Sequence, residues 1–438
     1  MLEISRDRHA SGSRVKEYQE QTTGFVFHNT VRMEREMTGT VRYFLSALTA
    51  GFVIFFSSFA QATNGMKVIG VGPVQRSMGG AGVALPLDAS VTISNPAGIG
   101  LLDRRLDIGL TYFEPHVSYS AHSDAGMVTS NGRKIKSDAA ASWIPAMGFV
   151  LHKNDTITLG LGAYGVSGMG VLYESNLYNN KTYTQYSLLK IAPALAWNVN
   201  EKLVLGFAPN IDYATMDFEA GDPSQVQHHG AVAWGLGYTV GAIYKLVDEV
   251  SLGLSYESFQ DFQDFKFNTD RGTDKMKFDQ PQTLTAGVAF KPVKTFRVAL
   301  DVSWINWPQC AGEGEPVYSE NSSGATPWNM NWENQFVYKI GAEYDLNKRL
   351  TLRAGYNYGK NPLDQDRLFE GVAFPAIAEH HFTLGAGVRI TDALSLNIGA
   401  MYAPGITFRA ENFAQQFINS AETKMSQYSI DLGLAYKF

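Results

Sequence analysis

The sequence has little cysteine, no excess of positive charge and no long apolar run in its main part. Cys310 is the single cysteine among 438 residues, which excludes an intramolecular disulfide framework and a metal site built from several cysteines. A net charge of −6 gives no general attraction for nucleic acid. Beyond residue 62 no stretch of about 18 consecutive apolar residues occurs, so a bundle of membrane-spanning helices is excluded.

Residues 1–62 resemble a processed leader rather than a part of the fold. An apolar core at 44–56 follows a basic residue and precedes a small–x–small triplet, a pattern that predicts signal-peptide cleavage after Ala62. The charged stretch before it lies upstream of this signal, and translation is expected to start at Met33 or Met37. We therefore expect an exported protein.

Beyond the leader, apolar and polar residues alternate with a period of two, the pattern of strands that have one apolar face. Most of these segments run about 9–13 residues, long enough for a tilted strand to cross a bilayer. Aromatic residues cluster at the segment ends, as an interfacial girdle would place them. Fourteen strands are predicted, at 105–119, 138–151, 155–165, 182–198, 202–217, 231–246, 249–260, 281–291, 294–306, 334–345, 348–359, 379–390, 393–403 and 424–438.

Short and long connections alternate between these strands. Tight turns such as 153–154 and 391–392 alternate with long links such as 307–333. Barrels of the bacterial outer membrane have short periplasmic turns, long extracellular loops and an even number of strands. The predicted fold is therefore all-β, a 14-stranded antiparallel transmembrane β-barrel over 105–438.

Residues 63–104 do not alternate and are rich in Gly, Ala, Ser and Pro. They precede the first strand, and a barrel of this size has a lumen too wide to be filled by its own wall. Their many apolar side chains argue against an idle periplasmic tail. We predict that they form a hatch, a plug that folds inside the lumen.

Several motifs resemble the FadL family of outer-membrane transporters, which includes long-chain fatty acid and aromatic hydrocarbon transporters. They are Met78-Gly79-Gly80-Ala81-Gly82, Asp88-Ala89-Ser90, Asn95-Pro96-Ala97-Gly98 and the segments 301–307 and 327–332. The resemblance implies a monomeric barrel, a hatch that carries the Asn-Pro-Ala motif, and diffusion of a hydrophobic ligand without ATP. It also implies lateral release into the membrane beside a kinked third strand.

Within the predicted hatch, the residues singled out for its structure and gating are Asp88, Asn95, Pro96, Ala97 and Gly98. Pro96 fixes a backbone dihedral angle, and the Asn95 amide is suited to capping a turn.

Proline and glycine interrupt the early strands more than the late ones. Proline has no N–H to donate to a strand ladder, and glycine has no side chain to stiffen it. We expect a lateral opening in the wall near Pro145, Gly160, Gly162 and Pro193, the alternative being ordinary β-bulges that shape the barrel.

Two groups of residues are candidates for ligand contact. The link 166–181 is expected to be an apolar extracellular loop that offers Met169, Leu172, Tyr173 and Leu177. Inside the barrel, Arg297, Lys339, Arg353 and Arg389 could bind a carboxylate. The alternatives are packing of the loop against its neighbours, and internal ion pairs with the inward-facing Asp301, Glu343 and Asp431.

Other classes of function remain open at this stage: a general porin, an outer-membrane barrel enzyme and a scaffold barrel around a redox partner. A general porin would select polar solutes at a charged constriction and would not need an apolar plug. An outer-membrane barrel enzyme such as a lipase would need a catalytic arrangement, and no such spacing stands out. The pairs His228-His229 and His380-His381 point to opposite faces of their strands, so no metal site is predicted.

The sequence thus predicts a transporter of hydrophobic compounds, not an enzyme, with no cofactor and no nucleic-acid partner. Its expected surroundings are outer-membrane lipid and lipopolysaccharide. The sequence does not distinguish a fatty acid, an alkane and an aromatic hydrocarbon as the ligand.

Overall fold

The computed structural model describes residues 64–126, 128, 130–175, 180–220, 226–321, 326–368, 370–411 and 418–438. Fourteen long antiparallel strands pair in chain order, and the first pairs with both the second and the last, so the sheet closes into a barrel. The predicted fold class is confirmed. The predicted leader and its cleavage site lie outside the described residues.

The strands are β1 (Arg105–His122), β2 (Ser142–Lys153), β3 (Ile157–Tyr173), β4 (Thr182–Asn198), β5 (Leu203–Ala220), β6 (His228–Val247), β7 (Val250–Glu257), β8 (Thr283–Val293), β9 (Phe296–Ile305), β10 (Gln335–Asp345), β11 (Leu350–Gly359), β12 (His380–Arg389), β13 (Leu394–Ala410) and β14 (Ser420–Lys437).

The alternation in the sequence sets the two faces of the wall. On β14, Ile430, Leu432 and Leu434 are exposed, whereas Asp431 between them is buried. Because neighbouring strand residues point to opposite faces, the apolar set faces outward and the polar set faces the lumen. The outer face is therefore an apolar band suited to lipid.

The link predicted at 166–181 is partly strand, which corrects the prediction of a loop that begins at residue 166. Strand β3 runs on to Tyr173, and its last residues pair with β4 after a bulge between Gly165 and Ser167. A bulge inserts an unpaired residue and bends its strand, which breaks the period-two pattern used for the prediction. Likewise β13 continues to Ala410 through a bulge after Ala403.

The long links fold into a structured cap on the barrel. Segments Phe265–Thr269, Gly272–Lys277, Val317–Ser319 and Thr326–Pro327 form a small sheet, and two-residue strands at Ile135–Lys136 and Asp261–Phe262 extend the barrel sheet. Helix Pro308–Ala311 and two 3-10 helices, Gln365–Arg367 and Glu370–Ala373, complete the cap. A buried aromatic cluster holds it together, including Phe262, Phe265, Phe278, Trp307 and Trp332.

Residues 64–104, called the N-terminal segment below, form short helices that pack against the inner face of the wall. They are α1 (Gly72–Ser77), α2 (Val91–Ser94) and a 3-10 helix, Pro96–Leu101. None of the helices in the described ranges is long and apolar enough to cross a membrane.

Candidate functional site

A belt of paired glycines lines the inner wall where the N-terminal segment lies. In each pair the two glycines face each other on neighbouring strands. A Cβ atom added at any of them would come within 2.7 Å of an atom of residues 73–97, so the segment packs directly on the backbone of the wall. The pairs of this glycine belt are Gly109–Gly433, Gly148–Gly162, Gly206–Gly241, Gly253–Gly287, Gly341–Gly355 and Gly385–Gly399.

Buried charges bind the segment to the wall between these contacts. Arg76 Nε lies 2.8 Å from Asp431 Oδ1, and both side chains are almost fully buried. Asp301 Oδ2 accepts hydrogen bonds from the amides of Gly82 and Val83 at 2.8 and 3.0 Å. Since an unpaired buried charge is costly, these partners fix the register of the segment in the barrel.

The predicted Asn-Pro-Ala-Gly motif joins the segment to β6. Asn95 is fully buried and ends α2. Its Nδ2 donates to Val83 O at 2.7 Å and to Ala242 O at 3.3 Å, while its Oδ1 accepts from Ala97 N at 3.2 Å. Pro96 then opens the 3-10 helix. The motif therefore connects two parts of the segment to each other and to the wall.

Replacing Asn95 by Ala should loosen the segment while the barrel still assembles. Loss of these hydrogen bonds, with Val83 O left buried, should destabilise the docked segment by about 2 kcal/mol. Hydrogen exchange of residues 64–104 in the purified protein should become faster. Asn200→Ala, which removes an exposed turn cap, is the matched control and should leave that exchange unchanged. Failure of the Asn95 variant to fold would make Asn95 a folding residue instead.

Asp88 is a buried carboxylic acid at the other end of α2. Its Oδ1 accepts hydrogen bonds from the amide and the hydroxyl of Ser90. Asp107 and Arg105 of β1 lie beside it, and these two form an ion pair of 2.7 Å with each other. Burial, with a smaller contribution from the Asp107 carboxylate, raises the pKa of Asp88 to about 6.

Docking of the segment should therefore depend on pH. Because the pKa of Asp88 is higher in the docked state than its ordinary value, the docked state is favoured in acid and loses stability as the pH rises through about 6. The loss should approach about 3 kcal/mol. Hydrogen exchange of residues 64–104, corrected for the intrinsic pH effect, should report it. Asp88→Asn should remove the dependence, and an unchanged pH profile in that variant would contradict the assignment.

A cavity lies between the N-terminal segment and strands β3, β4 and β7–β10. Its volume is about 140 Å³. Charged side chains at its wall are Lys67, Lys190, Glu257, Asp301 and Lys339. The rest of the lining is apolar and neutral polar. Its apolar side chains, which supply most of the exposed surface, are Val68, Ile69, Val71, Val83, Ile93, Val166, Leu188, Ile305 and Val337, and polar side chains such as Gln280, Thr285 and Ser303 lie among them. Such a lining suits a ligand with a large apolar part and a small polar end.

An ion-pair network crosses this cavity from the segment to the wall. Lys67 Nζ lies 2.5 Å from Glu257 Oε2 and 2.8 Å from Thr283 Oγ1. The same Glu257 accepts from Lys190 Nζ at 2.7 Å through its other oxygen. Glu257 thus holds one lysine of the segment and one of the wall.

The wall is interrupted next to the cavity, between β2 and β3. Their pairing stops at Ala146 and Tyr164, beside Pro145, although both strands continue. Beyond that point the segment takes the place of β2. Val68 N donates to Val166 O and Gly168 N donates to Met66 O, both at 3.1 Å.

The other residues predicted for a lateral opening lie elsewhere. Gly160 and Gly162 belong to the paired part of β3, where they leave room for Ile99 and Thr92 of the segment. Pro193 faces outward on β4 at a second interruption, where residues 192–194 do not pair with 208–210 of β5.

Comparison with known proteins identifies the family. The model of the outer membrane protein transport family (OMPP1/FadL/TodX) matches residues 53–438. The chain belongs to this family. It is therefore an outer-membrane transporter of hydrophobic compounds, and its family is one of transporters rather than of enzymes.

Relatives in the family share modest sequence identity over most of their length. The long-chain fatty acid transport protein of Escherichia coli is 24% identical over 386 residues, covering 75% of this chain and 84% of its own. Outer membrane protein P1 of Haemophilus influenzae is 24% identical over 382 residues, covering 74% and 82%.

Solved structures of the family share the fold. The toluene transporter TodX of Pseudomonas putida superposes with a TM-score of 0.68 at 18% identity, covering 84% of this chain and 99% of its own. A FadL homologue of Pseudomonas aeruginosa has a TM-score of 0.70 at 15% identity, covering 85% and 100%.

In this FadL-family barrel only one of the four predicted inward cations reaches the cavity. That residue is Lys339. Arg297 and Arg353 form ion pairs with Glu343, and Arg389 is exposed at the end of β12. Opposite charges on adjacent strands pair directly, which is the alternative that the sequence left open.

The apolar candidates for ligand contact near the end of β3 also lie in different surroundings. Met169 and Tyr173 are buried in the aromatic cluster of the cap, and Leu172 is half-buried. Leu177 lies outside the described residues. Sequence reasoning missed Lys67 and Glu257, because nothing in the local pattern places a residue of the segment beside the end of β7.

Proposed function

We propose that this protein carries long-chain fatty acids by passive diffusion, with the N-terminal segment as a hatch and with lateral release between β2 and β3. The observation that supports the proposal is the position of the N-terminal segment. It lines the cavity and completes the wall at the same point.

The cavity supports an apolar ligand that carries a carboxylate. Its volume of about 140 Å³ is close to that of an engineered apolar cavity that binds benzene, enough for part of an acyl chain. Lys339 makes no ion pair or side-chain hydrogen bond with another described residue, although Asp301 lies nearby, so its ammonium is free to receive a carboxylate. The relative from E. coli is named as a long-chain fatty acid transport protein, while the structural relative TodX is named as a toluene transporter.

Ligand entry would loosen the segment through Lys67. A carboxylate in the cavity competes with Glu257 for the Lys67 ammonium, and Glu257 keeps Lys190 as a partner. When Lys67 is released, the part of the N-terminal segment around Met66 and Val68, which pairs with β3, is bound less tightly to the wall. The opening then faces the apolar core of the bilayer. The free energy of an apolar molecule is lower in lipid than in water, so release into the bilayer is favoured.

Uptake of labelled oleate and labelled toluene by cells with and without the protein tests this function. We expect uptake of oleate that depends on the protein and falls about tenfold in Lys339→Met, the loss expected for one charge-assisted hydrogen bond. Uptake of toluene, if any, should be unaffected by that substitution. Uptake of toluene alone would make the protein a hydrocarbon channel, and uptake of small sugars instead would favour a general porin.

A further inference from the structure

Four basic side chains lie together at the short-turn end of the barrel. Lys294 lies in the turn between β8 and β9, Lys348 and Arg349 lie in the turn between β10 and β11, and Arg389 ends β12. All four are exposed. They are called the basic arc below, and they occupy three successive turns.

The charge of the basic arc is not neutralised within the protein. In the described part of the chain none of the four side chains forms an ion pair or a hydrogen bond, whereas Arg297 and Arg353 just inside the barrel are paired with Glu343. The turn after Arg389 carries one acid, Asp392. A surplus of positive charge therefore faces solvent at this end.

Each of these turns also exposes an apolar side chain beside its basic residues. Val293, Leu346 and Ile390 are 56%, 52% and 54% exposed. Exposed apolar groups at a barrel rim lie at the boundary between acyl chains and headgroups, where neighbouring lysine and arginine side chains reach the phosphate layer. The basic arc thus lies at the depth of lipid headgroups.

The other half of the same rim has the opposite charge. The turns that join β2 to β3, β4 to β5 and β6 to β7 carry four exposed acids, Asp155, Glu201, Asp248 and Glu249, and one exposed base, Lys202. Of these, Asp248 pairs with Lys245 at 2.6 Å. Acids therefore outnumber bases in those three turns, whereas bases outnumber acids in the turns of the basic arc.

We infer that the basic arc binds the phosphate-bearing, anionic headgroups of phospholipids in the periplasmic leaflet. Short turns face the periplasm in barrels of this class. Each lysine or arginine close to an anionic membrane surface adds a favourable interaction that salt screens. The arc is centred on β9–β12, across the barrel from the interruption between β2 and β3, so this lipid contact holds the side of the barrel away from the gap.

Lipid selectivity of the purified full-length protein in vesicles tests the inference. Spin-labelled phosphatidylglycerol and spin-labelled phosphatidylcholine serve as probes in a phosphatidylcholine bilayer, and the ratio of their association constants is measured by electron paramagnetic resonance. The wild type should prefer the anionic probe. The variant Lys294→Gln/Lys348→Gln/Arg349→Gln should lose about fivefold or more of that preference, and high salt should reduce the preference of the wild type.

The matched control is Glu201→Gln/Glu249→Gln, which changes exposed turns in the other half of the rim and should keep or increase the preference. Resistance of each folded barrel to unfolding in detergent confirms that the variants are intact. An unchanged preference in the basic-arc variant, or an equal loss in the control, would overturn the inference. So would binding of an acidic soluble peptide by the arc without any lipid preference.

Discussion

Cells that carry the variant Lys67→Cys/Ser167→Cys should take up no more labelled oleate than cells without the protein while the two cysteines are oxidised. Residues 67 and 167 face each other as a non-hydrogen-bonded antiparallel pair, flanked by the bonds of Val68 and Gly168. Cα atoms of such pairs lie about 4.5 Å apart, within the range of a disulfide. The bond would hold the segment in the wall, so the proposed exit stays closed.

Reduction of the same protein should restore uptake, and this comparison removes the effect of losing Lys67 itself. All variants are made in a Cys310→Ser background, which removes the native thiol. The single variants Lys67→Cys and Ser167→Cys should then not respond to oxidation, since neither contains a second thiol. Equal uptake by the oxidised and the reduced double variant would contradict lateral release at this site.

The second large effect is expected from Gly355→Val, which should turn the protein into an open pore. A Cβ atom at residue 355 would lie 2.2 Å from both Gly79 N and Met78 C, which are backbone atoms with no freedom to move aside. Valine suits a strand, so the barrel should still form while the segment cannot dock. Conductance in planar bilayers should rise from a closed baseline to steady, porin-like steps.

Gly405→Val is the matched control, because a Cβ atom there meets side-chain atoms at ordinary contact distance, Lys424 Cε at 3.7 Å and Ser426 Cβ at 4.0 Å. It should leave the conductance at the baseline. A folded Gly355 variant without added conductance would mean that the wall can shift around the segment.

The sequence predicts the number of strands and most of their bounds, because alternation along a strand needs no knowledge of its neighbours. It fails where the chain bends. The prediction ends β3 at residue 165, at the bulge between Gly165 and Ser167, and places Met169 and Tyr173 in a loop. A bulge shifts the alternation by one residue, so the second half of the strand looks unrelated to the first.

The candidate site is predictable only where a motif is local. Asn95 to Gly98 and Asp88 are contiguous patterns, and the structure places them in the N-terminal segment as turn and cap residues. The pairing of Arg297 and Arg353 with Glu343, and the contact of Lys67 with Glu257, depend on strand register and on how the segment enters the barrel. Neither set of contacts can be predicted from a single stretch of sequence.

The positions of the belt glycines follow a pattern in the sequence that was not used for prediction. Gly341, Gly355, Gly385, Gly399 and Gly433 all fall on the polar face of their strands, near the middle. Recognising them as cross-strand pairs requires the register of each hairpin, which the pattern alone does not define.

The belt also has a consequence for how such proteins change over time. At the belt the wall offers bare backbone, and any side chain added there would collide with the N-terminal segment. Elsewhere the segment and the wall are joined by paired side chains such as Arg76 with Asp431. The belt glycines are therefore closed to substitution, whereas a change at one member of such a pair calls for a matching change in the other.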